Sequence, residues 1–180
     1  MNSITIRLLA IGSLVTLLVF AQSQPPDVGQ GWLPEFNHAS KQINALAEAT
    51  PAEKFSWRPA PGVRSVSEVY MHIALGNYFL LNYLGVKLPP ELAAKVKPAA
   101  EKSVTAKAEV LQWLKDSQER VREHRGTVDH QKKVKFFGAE TNAEGIFLRI
   151  LVHSHEHMGQ SIAYSRMIGV VPPWSQSGSQ

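Results

Sequence analysis

The stretch from Ile146 to Met167 limits what this chain can fold into more than any other. Stepping through it by four and three places Ile146, Ile150, His153, His157, Gln160, Tyr164 and Met167 on one face of a helix. The stripe is apolar at its ends and polar in its middle. A neighbouring row, Phe147, Leu151, Ser154, Met158 and Ile162, widens the apolar face, so the helix has to be buried broadly. An unpaired imidazole in such a core costs about 2 kcal/mol or more. The fold must therefore bring partners to His153 and His157. Side chains at i and i+4 lie about 6 Å apart at Cβ, which suits two neighbouring ligands on one metal ion. A buried histidine taken alone is more often a hydrogen-bonded core residue, so spacing leaves both readings open.

Three further helical segments surround this one in the sequence. The first is expected from Trp32 to Ala49, with Phe36, Ser40, Ile43 and Ala47 at helical spacing and Pro51 as its stop. A turn-rich loop from Pro51 to Arg64 follows. The second begins at a capping box, Ser65 and Glu68, and repeats Val66, Val69, Ile73, Gly76, Leu80 and Tyr83, with Pro89-Pro90 ending the segment. The connector Glu91 to Lys102 has room for a short helical turn. The third helix is expected over Thr105 to Glu123, with Val110, Leu114, Ser117 and Val121 inward, and the stretch Gly126 to Ala139 has extended character. A second capping box, Thr141 and Glu144, opens the last helix, which Gly169 and Pro172-Pro173 close. Four helices with longer crossovers and no strong strand alternation predict an all-α, up-and-down four-helix bundle over residues 32–174, followed by a loose tail over 175–180.

The segment before the bundle reads differently. Arg7 precedes a dense apolar run, Leu8 to Phe20, and Ala21-Gln22-Ser23 puts small residues where a signal peptidase cleaves. The run of about 13 residues falls short of the ~20 that span a bilayer, and Pro25-Pro26 follow at once. The expectation is a cleaved secretory signal over residues 1–23, a linker over 24–31, export to the periplasm or beyond, and no stable membrane span. The chain has no cysteine, so disulfides and a lipid-modified cysteine are excluded. Without Arg7, 18 of the 19 basic residues remain against 15 acidic ones. The densest basic run, Lys132-Lys133-Val134-Lys135, is too short for a nucleic-acid-binding stripe.

The second helix offers a third imidazole. His72 lies three residues after Val69 and four before Gly76, beside the apolar seam, and Gly76 is expected to leave open space over whatever His72 binds. His155 sits about 200° round the helix from His153 at 100° per residue. His38, His124 and His130 fall near polar residues and read as surface or loop histidines. His155-Glu156-His157 does not extend to the H-E-x-x-H of zinc proteases, because residue 159 is glycine.

Several segments together carry a family resemblance. They are His153-Ser-His-Glu-His157-Met-Gly-Gln160, its continuation Ser-Ile-Ala-Tyr164-Ser-Arg166, the closing Gly169-Val-Val-Pro-Pro173, Pro51-Ala-Glu-Lys-Phe-Ser-Trp57-Arg-Pro59, and Ser65-Val-Ser-Glu-Val-Tyr-Met-His72. The chain resembles the DinB-like (DNA-damage-inducible) family from about Trp32 to Trp174. The resemblance implies a three-histidine site: His72 matches the family's ligand on the second helix, and His153 and His157 match the two on the last. Gln160 matches a position that borders the site, and Tyr164 one turn on is a hydrogen-bond partner or a packed core residue. The implied cofactor is one divalent metal ion, zinc before nickel or iron(II), with a position left open for water or substrate. Relatives include metal-dependent thiol S-transferases and a thiol-dependent isomerase, but export argues against a cytosolic thiol cofactor. The functional expectation is a metal-dependent transferase or hydrolase acting on an unidentified small molecule. The alternative is a non-enzymatic exported bundle in which the metal is structural or supports a partner. Pairing of two copies is compatible with either, although no helix seam is clearly spare.

Overall fold

The computed structural model describes residues 28–176. The expected signal over residues 1–23, the first half of the linker and the end of the tail lie outside the described residues. Four long helices make the core: α1 (Trp32–Ala49), α2 (Val66–Tyr83), α5 (Lys107–Arg125) and α6 (Ala143–Met167). Two single-turn helices, α3 (Pro90–Ala93) and α4 (Ala100–Ser103), lie in the connector between α2 and α5, and a hairpin of β1 (Lys133–Phe136) and β2 (Ala139–Asn142) precedes α6. The bundle is therefore all-α apart from this hairpin. Among the described residues no helix is long and apolar enough to cross a membrane.

The helices close into a ring in the order α1, α5, α2, α6. Contacting pairs give their directions. Glu48 and Thr50 accept from Lys107 Nζ, while Asn37 accepts from Arg122, so α1 and α5 run antiparallel. His72 meets His157 and Gly76 meets His153, so α2 and α6 are antiparallel too. Trp32 Nε1 donates to the Phe147 carbonyl, joining the starts of α1 and α6. The order is thus up, down, down, up, with α2 and α5 parallel. That is sterically open only because the connector over residues 84–106 runs back along α2 before α5 begins. The expected longer crossovers are what make this order available.

Local chemistry explains the helix ends. Ser65 and Glu68 form the expected capping box: Ser65 Oγ accepts from the Glu68 amide and Glu68 Oε2 from the Ser65 amide. The loop before α2 adds to it, with the carbonyls of Trp57 and Phe55 accepting from the amides of Val66 and Ser67. Helix α2 stops at Tyr83, before Pro89-Pro90, because Gly85 turns the chain at φ 79°. Pro90 instead opens α3, where its fixed φ suits a first turn. The third long helix lies two residues later than expected at each end. Gly169 closes α6 at φ 78° as the sequence indicates, and Pro173–Ser175 forms a 3-10 turn at the end of the bundle.

The second capping box is not formed. Thr141 pairs with Val134 in the hairpin, and the residue that caps α6 is Asn142, whose Oδ1 accepts from the Gly145 amide at 3.0 Å. Glu144 instead takes a two-pronged ion pair from Arg125 at the end of α5. The hairpin's demand for Thr141 outcompetes the cap.

Two apolar clusters fill the bundle. One holds Ile43, Tyr70, Met71, Trp113 and Leu114; the other holds Phe36, Leu81, Val121, Phe147 and Ile150. On α5, Ser117 and Gln118 fall between the two clusters, and they accept from Asn77 and Asn44 respectively. Replacing Asn142 by alanine should cost about 1 kcal/mol in urea unfolding, with Thr141→Ala costing less than half as much. The opposite ranking would reinstate Thr141 as the cap.

Candidate metal centre

His72 stands in the first half of α2, and His153 and His157 one turn apart on α6. Antiparallel packing of the two helices brings the three rings together, with centroids 4.5–4.9 Å apart pairwise. One nitrogen from each ring lies within 4.8 Å of the other two. Both α6 histidines are buried, and the His72 side chain is 27% exposed. His155 is set apart, its Nδ1 donating to the Leu151 carbonyl, and His130 Nε2 donates to the Arg125 carbonyl. His38 and His124 are half-buried on α1 and α5, apart from the cluster.

The hydrogen bonds around the rings decide which nitrogens are free. Glu101 Oε2 lies 2.9 Å from His72 Nδ1, and Arg64 Nε donates to Glu101 Oε1 at 2.7 Å. Burial pushes the Glu101 carboxyl up, but hydrogen bonds from Arg64 and His72 outweigh it and hold the group below its ordinary range. A carboxylate only accepts, so His72 carries its proton on Nδ1 and presents a lone pair at Nε2. On α6, His157 Nδ1 donates to Gln160 Oε1 at 2.8 Å, and Gln160 Nε2 donates to the Tyr164 hydroxyl at 3.1 Å. With the tyrosine hydroxyl accepting from the amide nitrogen, the amide oxygen is turned toward Nδ1 and accepts from it, so His157 also presents Nε2.

His153 completes the set. Its Nε2 lies 3.1 Å from His72 Nε2, and its buried Nδ1 has no partner among the described residues. Burial pushes its pKa down to about 3, and burial likewise lowers that of His72 against the opposing pull of Glu101. Both rings are therefore neutral near neutral pH, the form that ligates. Nitrogens bound tetrahedrally at 2.0–2.1 Å stand about 3.3 Å apart, close to the separation of the two Nε2 atoms. Three imidazoles whose ring nitrogens converge fit a divalent metal ion of the zinc class.

Gly76 permits this arrangement in a way the sequence did not indicate. A Cβ on Gly76 would stand 2.5 Å from His153 Cε1 and 3.0 Å from Nδ1. The space expected above the group bound by His72 is in fact filled by the His153 ring. Two other features lay beyond the sequence pattern. Glu101 and Arg64 sit in the connector and the loop before α2, where no helical period marks them as facing the histidines. Tyr164 is both packed and hydrogen-bonded: it meets Trp57 edge-on at 5.5 Å while accepting from Gln160.

The DinB superfamily profile matches residues 35–161, most of the chain, and the chain belongs to that superfamily. Its fold is similar to that of a solved DinB-like protein from Bacillus cereus ATCC 10987, with a TM-score of 0.68 and 20% identity over 80% of this chain and 95% of the other. At that identity the likeness bears on the fold alone. No curated protein matches the chain.

Two substitutions test the geometry around the histidines. Glu101→Ala frees the His72 ring and should weaken zinc binding roughly 10- to 100-fold in a chelator competition. Gly76→Ala should weaken it by at least about tenfold by pushing His153 out of line. Affinities equal to the parent protein's in both variants would show that neither position shapes the site.

Proposed function

We propose that the protein holds one divalent metal ion, zinc foremost, on His72, His153 and His157, and acts outside the cytoplasm as a metal-dependent enzyme on a small molecule. The observation that carries this reading is the pair of tautomer locks, Glu101 on His72 and Gln160 on His157, which aim two Nε2 lone pairs at the space His153 also faces. Core histidines with a purely structural role need no such alignment. The ion would supply Lewis acidity to a water or thiol at a position left open by three protein ligands.

The residues around it do the rest. Glu101 and Arg64 hold His72 in register, Tyr164 and Gln160 do the same for His157, and Gly76 lets His153 close the triangle. A metal serving only the fold would favour a sealed, four-ligand site. Here His72 and His153 also line a cleft of about 920 Å³, which gives a small molecule a route to the ion and favours the enzymatic reading. Export rests on the leader-like residues 1–23 and predicts a mature chain beginning at Gln24.

Elemental analysis of the purified mature protein checks the assignment. One equivalent of zinc is expected, lost in His72→Ala, His153→Ala and His157→Ala and retained in His155→Ala. Full metal content in the three ligand variants would refute the site.

A further inference from the structure

The cleft beside the histidines has a shape and charge of its own. It runs along α2 from His72 to Asn82, about 15 Å at 1.5 Å per residue. Helix α2, the connector and the hairpin wall it, chiefly with Leu75, Phe79, Leu88, Val96 and Phe137. Its volume of about 920 Å³ suits a small organic molecule. Three cations line it, Lys87, Lys97 and Arg149, against a single acid, Glu101, whose oxygens already serve Arg64 and His72. Arg149 meets Glu156 at 3.1 Å, whereas the ammonium groups of Lys87 and Lys97 have no hydrogen-bond or ion-pair partner among the described residues. An elongated space with apolar walls and unspent positive charge is complementary to a chain with an anionic end.

The hairpin tip supplies an independent observation. Phe136 pairs with Ala139, so the turn consists of Phe137 and Gly138, both left-handed at φ 49° and 85°. Asn-Gly is the ordinary occupant of such a turn, and a bulky residue there is strained. Phe137 is nevertheless present, 76% exposed, its ring 6.2 Å from that of Phe79, which also lines the cleft. Strain kept at an exposed aromatic residue beside a cavity points to a ligand rather than to folding.

We propose that the cleft binds an elongated amphiphilic carboxylate. Its apolar chain lies between Phe79, Val96 and Phe137, its charge is met by the cleft lysines, and its other end reaches the edge formed by His72 and His153. The inference rests on the metal-centre reading only for the chemistry at that inner end.

Calorimetric titration with decanoate, using the metal-free full chain, tests it. Saturable binding of one decanoate per chain is expected. Phe137→Asn should weaken it about tenfold while the melting temperature stays level or rises, because asparagine relieves the turn. The double variant Lys87→Gln, Lys97→Gln should weaken decanoate but leave 1-decanol unchanged. Absence of saturable binding, equal affinity in Phe137→Asn, or equal losses for acid and alcohol would overturn the proposal. Zinc uptake measured on the same samples separates the two readings. Decanoate binding without zinc uptake sinks the metal centre alone, and zinc uptake without decanoate binding sinks this proposal alone.

Discussion

The contact on which the site depends is that of the His153 ring with the bare backbone of Gly76. It sets how closely α2 and α6 approach at that level, and it aims His153 Nε2 toward His72. Any side chain at position 76 would force the ring or the helices apart. Three imidazoles from two antiparallel helices can converge only if one helix has no bulk where the other carries its first histidine. The residue of α2 that has no side chain is therefore the one that lets the triangle close.

Topology explains the remaining partners. Because α2 and α5 run parallel, the chain between them has to travel back along the bundle. That return path carries Glu101 to the level of His72 and supplies one wall of the cleft. A short hairpin-like connection would have left His72 without its carboxylate and its Nδ1 exposed to water. The same overhand path links fold to function, since one segment orients a ligand and lines the space a small molecule would enter. At the far side, Tyr164 joins the apolar cluster and the site, packing against Trp57 and steadying Gln160.

Much of this was legible in the sequence, for identifiable reasons. The stripe from Ile146 to Met167 announced itself because two histidines and a glutamine interrupt an apolar face, and helical period alone put them side by side. Ser65 and Glu68 marked the start of α2 because a capping box is a purely local device. His72 needed the family resemblance, since period places it beside the seam and leaves its direction open. Glu101 and Arg64 were illegible because neither the connector nor the loop before α2 has a period, and their role is set by where those segments pass the histidines. Thr141 misled because a local capping pattern also lay within reach of a strand pairing, and the pairing with Val134 prevailed. Gly76 was noticed for the space it leaves, but what fills that space depends on the register of α6 against α2. Non-local register is what a single sequence withholds.

The proposed metal centre requires His72, His153 and His157 to act together as ligands to one ion. X-ray absorption spectroscopy of the zinc-loaded chain tests it most directly. One zinc with three imidazole nitrogens at about 2.0–2.1 Å and a lighter ligand in the remaining position is expected. A first coordination sphere containing fewer than three imidazoles, or carboxylate oxygen from Glu101 in place of His72, would contradict it.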